Sequence, residues 1–487
     1  MRKIYVLLSF IFCVFTLSSQ TVRTLNPSIS KSLTFYNFKL YPLDKNPSID
    51  DENQYVFRNN FDEFLLYTID KNGKVKTSPT VKVPKNHYWQ GCYQTTDKIV
   101  SIYGSNDDET VNCYINVCDK NRMTWNPELL ASFICHKKDN CYSKVSVSPN
   151  QTHFCFVALT ADKKSNFQGM NVMVFDAEGQ KVWENMVSPD FSNKTFNISD
   201  VAITDEGVVY ISTPAYSGEK KKIYDEKIYL LEIKENDFKQ VESNQNIGYI
   251  SSAEIKLLKN GNVFIGGYYS EKKDDLLKGT FSLMYNTKEQ YISTFTQREF
   301  PNYFSKNDVS SLNLDQIFEL SNGQIYVLGE QLMTIVYRSQ SGNSYKSFAK
   351  NIVYTSIDNN GNIENHEIIK KNQNFNSFIY IADFRQICLS YYAFEKDGAL
   401  CLLFNDHNSN INSTKKTTPL INPVRSKKKN IVRLVKIDGS NLSNQIIMDG
   451  KLFKKSMHTF LFNEDNGLIV ANLGKTVSID KISITIK

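Results

Sequence analysis

The chain has 487 residues, 57 of them lysine or arginine and 51 aspartate or glutamate, with a formal charge of +6. So mild an excess does not predict nucleic acid as a partner. The chain is long enough to bury a large core, so folding does not depend on disulfides.

The opening segment MRKIYVLLSFIFCVFTLSSQ sets Arg2 and Lys3 before an apolar run from Ile4 to Leu17, followed by small polar residues. That order is the order of a secretory signal peptide, read here as residues 1–19 with cleavage within about 18–20. A retained anchor is the alternative, but the run is short of the roughly 20 apolar residues that span a bilayer. Cys13 lies among bulky apolar neighbours and reads as ordinary signal-core filling. Removing Arg2 and Lys3 leaves 55 basic against 51 acidic residues, or +4. No later segment is apolar enough to cross a membrane. The expectation is an exported chain, periplasmic, cell-surface or extracellular.

From residue 20 to 487 a short pattern recurs: a turn of Asn, Asp or Ser, usually with Gly, and then four to six β-formers. It appears as DENQYVF from Asp51, TTDKIVSIYG from Thr95, SPNQTHFCFVAL from Ser148, TDEGVVYIS from Thr204, KNGNVFIGG from Lys259, SNGQIYVLG from Ser321, KDGALCLLF from Lys396 and EDNGLIVANL from Glu464. The spacing averages about sixty residues. A second turn follows most of these, as in YTIDKNGKV from Tyr67, VFDAEGQKVW from Val174, TSIDNNGNI from Thr355 and VKIDGSNL from Val435. Asp at the start bonds back to the chain and Gly or Asn supplies positive φ, which suits a tight hairpin.

Two hairpin turns per repeat make four antiparallel strands, a unit that cannot cover both of its faces alone. No long window carries the three-and-four apolar spacing of a helix. The chain therefore resembles an exported bacterial β-propeller, a likeness of architecture that assigns no characterised family. The fold class read is all-β, a β-propeller of four-stranded antiparallel blades in a single domain over residues 20–487. We count eight blades, with seven as the alternative. The last repeat ends after its third strand, SIDKISITIK, and the N-terminal SLTFYNFKLY is the expected closing strand.

Eight cysteines follow the signal segment. Cys135 and Cys141 flank HKKDN, and Cys388 and Cys401 fall on neighbouring strands; both pairs are disulfide candidates in an exported chain. The alternative is that they are small buried apolar residues.

Both turn signatures fall on one face of the ring, and long connections fall on the other: Thr160 to Met170, Thr213 to Lys227, Tyr268 to Gly279, Gly329 to Lys350 and Asn405 to Asn430. Loops of such length carry function or are disordered. They hold lysine pairs or triplets (Lys163 with Lys164, Lys220 to Lys222, Lys272 with Lys273, Lys415 with Lys416, Lys427 to Lys429) and the aromatics Tyr216, Tyr268, Tyr269, Tyr337 and Tyr345. These tyrosines are binding candidates that stack on sugar or anchor a protein, or else they pack beneath their own loops. Asp200, Glu254 and Asp315 stand at similar distances before the first turn of successive blades and are candidates for the channel mouth.

Catalytic signatures are lacking. There is no GxSxG elbow. In HEIIK from His366, Lys370 stands where a zincin has its second histidine. GLIVANLGKT from Gly467 spaces its glycines wrongly for a phosphate loop, and IDNNGNIE from Ile357 lacks Gly and the terminal Glu at the positions an EF-hand loop needs, so it reads as a hairpin turn. We expect no metal and no cofactor. The leading reading is a non-catalytic recognition or scaffold protein holding an envelope protein or glycan on its long-loop face. The alternative is a propeller enzyme acting on polysaccharide, hydrolase or lyase, with carboxylates near the channel.

Overall fold

The computed structural model describes strands Arg23–Leu25 and Lys39–Pro42 and then residues 53–483, apart from intervening stretches of which the longest are 70–74, 135–141, 162–166, 218–223, 378–388, 412–418 and 450–461. The signal segment lies outside the described residues, as do Cys135, Cys141 and Cys388. No described helix is long and apolar enough to cross a membrane.

Among the described residues the strands form eight antiparallel sheets, each built on a run of four. Seven follow one another along the chain. The third is Tyr142–Val147, His153–Ala161, Phe167–Asp176 and Lys181–Val187. The fourth begins with Asp200–Ile203 on Val209–Ser217, the fifth with Tyr249–Leu257 on Val263–Ser270, the sixth with Leu312–Glu319 on Ile325–Ser339 and the seventh with Tyr392–Lys396 on Ala399–His407. The eighth takes three strands from the C-terminal end, and Arg23–Leu25 completes it by pairing with Val477–Ser483. Both ends of the chain thus meet in one sheet. The end of SLTFYNFKLY does not close the last sheet; Lys39–Pro42 starts the first one instead.

Consecutive sheets are glued face to face by apolar side chains. One cluster joins the second and third sheets through Val100, Ile102, Phe154 and Phe156, and another joins the third and fourth through Val157, Val172, Ile211 and Leu231. The same holds for the fourth and fifth, the fifth and sixth, and the sixth and seventh. A sheet covered on both faces alternates its side chains between two apolar interfaces, so its middle strands read as continuous hydrophobic runs. Every residue of Val263–Ser270 is buried for this reason. Four-stranded antiparallel units stacked in chain order and closed by the two ends make an eight-bladed β-propeller.

The turns fall where the repeat places them. Asp205–Glu206, Asn260–Gly261, Asn322–Gly323 and Asp397–Gly398 join first to second strands, while Asp176–Gly179 and Asp358–Gly361 join third to fourth. The Asp176 and Asp358 carboxylates each accept two backbone N–H groups of their own turn, which is what Asp contributes at that position. One expected long loop is not a loop. Gly329 to Lys350 continues two strands, Ile325–Ser339 and Gly342–Ile357, into a hairpin arm that projects beyond the sheet. The alternation of Thr334, Val336 and Arg338 with Ile335 and Tyr337 suits extended pairing better than it suits a coil.

Candidate functional site

The first strand of each sheet runs toward the short turns, so residues at equal distance from the turn share a height around the axis. Lys144, Asp200 and Glu254 stand at the same distance before Ser148, Thr204 and Leu258. Asp315 stands one residue further from Leu320, and the register shift between Leu314 and Gln316 absorbs that residue as a bulge. The structure therefore brings Asp200, Glu254 and Asp315 onto three adjacent strands. Lys144 Nζ lies 2.5 Å from Asp200 Oδ1 and donates to the Ser199 carbonyl at 2.7 Å. Asp200 Oδ2 in turn accepts the Ile255 N–H at 3.1 Å, so a side chain of each strand is tied to the next.

Glu254 is pushed up to about 8, first by burial and then by the Asp200 and Asp315 carboxylates, against which Lys144 and Lys256 are weaker. It carries its proton at neutral pH. Tyr268 stands wholly buried beside this pair, its hydroxyl without a hydrogen-bond partner among the described residues. Burial, then Glu254 and Asp315, raises its ionisation too. The ring fits because Gly329 faces it: a Cβ there would lie 2.3 Å from the Tyr268 hydroxyl. The final glycine of SNGQIYVLG is thus required by close approach rather than by a turn.

Between the sixth and seventh sheets lies a polar seam that the sequence did not reveal. Glu330 and Lys371 are both fully buried and in direct contact. Burial drives the Glu330 carboxyl up and the Lys371 ammonium down, each toward its neutral form. Lys371 also donates to Gln373 Oε1 at 2.9 Å, and Gln373 donates to the Asn405 carbonyl at 2.5 Å. Beside them Arg433 meets Asp406 at 2.9 Å, and Asn410 donates to the same carboxylate at 2.6 Å. Glu330 and Lys371, Gln373 and Asn405, and Asp406 and Arg433 sit far apart in sequence, which hides the seam from a linear reading.

A cavity of about 870 Å³ opens on the short-turn side, between the third and sixth sheets, with Tyr210, Asp205, Glu206, Lys256, Lys259 and Glu319 on its wall. Val201 and Ile255 line it, whereas Asp200, Glu254 and Asp315 do not. On the same side a carboxylate of one sheet holds the turn of the sheet before it. The Asn150 N–H donates to Asp205 at 2.9 Å, the Lys259 N–H to both Glu319 oxygens at 3.0 Å, and the Ser321 N–H to both Glu395 oxygens at 2.9 and 2.8 Å. Glu319 and Glu395 follow Phe in IFELSNG and YAFEKDG, a likeness visible in the sequence once one looks for it.

The tyrosines separate. Tyr268 and Tyr269 are 0 and 7% exposed on Val263–Ser270, inside the blade interfaces and not in a loop. Tyr216 pairs in a strand opposite Thr195, and its side chain lies outside the described residues. Tyr337 and Tyr345 stand on opposite strands of the arm, Tyr337 half exposed and Tyr345 paired beside it with Val336. Of the cysteine candidates only Cys401 is described; it is fully buried opposite Lys436 in the sheet. His366, from HEIIK, is buried with Nε2 at 3.2 Å from Thr280 Oγ1, and burial pushes it down to about 4.

No protein-family model matches the chain, and no curated protein does. Among solved structures, the β-propeller domain of the Trilobed protease from Pyrococcus furiosus is 11% identical, with 85% of this chain and 96% of that one aligned at a TM-score of 0.36. The WD40 domain of SCAP from fission yeast is 9% identical over 96% and 98%, at 0.35. Prolyl oligopeptidase B from Galerina marginata is 9% identical over 77% of this chain, at 0.36, and the chain spans 56% of that peptidase's length. Nothing is carried over at this likeness, and the propeller architecture stands on the eight sheets themselves.

Proposed function

We propose that the chain is an exported, envelope-associated recognition or scaffold protein that holds a protein or glycan on the face opposite the short turns. The arm carries this reading. At its outer end Ile335, Val336 and Tyr337 are 37, 44 and 51% exposed, and being consecutive they present both faces of the strand. An apolar stretch kept in water on a projecting hairpin fits a docking element. Its base is fixed: Gln331 donates to the Asn307 and Ser310 carbonyls at 2.6 and 2.8 Å, and Asn351 to Asp308 at 2.9 Å. A rigid base and an open tip suit presentation to a partner.

The test is an envelope pull-down and a glycan array, comparing the wild-type chain with one in which Met333 to Phe348 is replaced by a short turn. Loss of captured partners is expected. Identical capture in both assays would sink the reading, and recovery of the chain in the cytoplasmic fraction would remove its export.

A second reading, a polysaccharide hydrolase or lyase, is favoured by one observation, the buried Glu254 beside the Asp200 and Asp315 carboxylates, which with burial push its own carboxyl up, since such pairs serve as acid and base on glycosides. It ranks lower because the cavity wall does not include the three carboxylates. Turnover of a polysaccharide by wild type and not by Glu254→Gln would reverse the order.

A further inference from the structure

The arm also indicates what kind of partner it takes. Leu332 still donates its N–H to the Ser311 carbonyl at 3.1 Å, but from Met333 outward no described strand pairs with the outer edge of Ile325–Ser339, while its inner edge pairs with Gly342–Ile357, and that strand pairs in turn with Gln373–Ser377. In an antiparallel ribbon alternate residues turn their N–H and C=O groups to the open side, a template for one further strand. The charge is one-sided as well. Between Gln331 and Ile357 the chain has Arg338, Lys346 and Lys350 and no aspartate or glutamate. Lys346 and Lys350 both lie over the Phe348 ring, which fixes cationic groups on the ribbon.

We infer that the outer edge of the arm, from Met333 to Arg338, receives an extended acidic segment of a partner polypeptide as an added antiparallel strand. Main-chain hydrogen bonds supply the pairing, and the exposed Ile335, Val336 and Tyr337 supply apolar contacts on the two faces. Arg338 and the two lysines select negative charge. A second copy of this chain is the poorer occupant, since edge-to-edge pairing of two arms would set three cations against three more with no acid between them. A neutral glycan would use the tyrosine but neither the open edge nor the charge. The inference rests on the recognition reading above and narrows it to one class of partner.

The test uses the purified full chain and three labelled ten-residue peptides that alternate valine with glutamate, valine with lysine, or valine with glutamate N-methylated at every second amide. Fluorescence anisotropy is read at low and at physiological salt. The glutamate peptide is expected to bind at least tenfold more tightly than either of the others and to weaken with salt. The double variant Arg338→Glu with Lys346→Glu is expected to reverse the preference toward the lysine peptide, and that gain of binding also shows that the variant is folded. Equal binding of the N-methylated peptide would overturn strand addition, and equal binding of the lysine peptide would overturn the charge selection. Dimerisation by sedimentation that is lost in the variant would assign the edge to a second copy. If no peptide binds while deletion of the arm still abolishes envelope capture, the strand-addition inference fails and the recognition reading stands; if the deletion changes nothing, the recognition reading itself fails.

Discussion

Two interfaces of the same ring are built on opposite plans. Between the third and fourth sheets the packed cluster is apolar, Val157, Val172, Val174, Ile211 and Leu231 together, and the charged contact, Lys144 with Asp200, is only partly buried. Between the sixth and seventh, apolar residues such as Leu328, Leu402 and Phe404 share the space with the buried Glu330–Lys371 and Asp406–Arg433 pairs. An apolar interface is forgiving about which hydrophobic side chain fills it. A buried ion pair is not, because removing one partner leaves a desolvated charge. Each of these pairs lies within its own sheet, and what ties the sixth sheet to the seventh across the seam is Gln373 on the Asn405 carbonyl and Arg433 on the Lys370 carbonyl.

The largest effect that separates the two plans is expected at Lys371. Lys371→Met should cost about 3–5 kcal/mol, while the double change Glu330→Leu with Lys371→Met, which removes both charges, should restore most of it. Denaturant unfolding with each variant decides the matter. In the apolar interface Leu231→Ala should cost about 2–5 kcal/mol and show no such rescue by a neighbouring substitution. A double variant as unstable as the single one would mean that the pair does more than neutralise itself.

The contrast also marks what the sequence could reveal. KNGNVFIGG and SNGQIYVLG recur because each blade repeats its first turn and the strand beyond it, and turn chemistry is local. Asp200 and Glu254 share a distance from that turn and so were findable. Asp315 is displaced in sequence by its bulge, but by one residue only, so the count still set it with the other two. Lys144, Glu330 and Lys371 matter through partners on other strands or other sheets, and nothing in a repeat records which sheet lies beside which. Tyr268 and Tyr269 misled in the opposite way: aromatic residues at the end of a strand read as loop anchors, but both faces of that strand are covered.

Proton linkage offers the next contrast. Glu254, pushed up to about 8, holds a proton in the folded chain that an unfolded chain releases near 4.5. The folded state binds the extra proton, so stability falls as pH rises from about 4.5 to about 8. Glu226, pushed up to about 7 by burial, acts in the same direction over the lower part of that span. His366, pushed down to about 4, acts the other way: its contribution is present above 6.5 and lost as pH falls toward 4. The interval from pH 7 to 8 therefore separates Glu254 from Glu226 and His366. Stability there should decline with a slope of up to about 1.4 kcal/mol per pH unit, and Glu254→Gln should flatten it. An unchanged slope in the variant would place the proton elsewhere.

The smallest effect is expected on the short-turn rim, and its smallness sharpens the comparison. Glu395 accepts the Ser321 N–H from the neighbouring sheet, and Glu319 does the same for Lys259. Unlike the buried ion pairs, each of which lies within one sheet, these bonds join sheets through a charged group, and they do so beside water, which takes over the freed donor when the carboxylate is removed. Glu395→Ala should therefore cost only about 1 kcal/mol of global stability. The local consequence should be clearer: amide exchange at Ser321 should quicken while that at Tyr326 and Leu328, in the buried strand beyond it, follows the global change alone. Equal quickening along the whole strand would mean that the rim bonds hold neighbouring sheets together as one cooperative unit, and exposure to water would then not be what makes a charged contact weak.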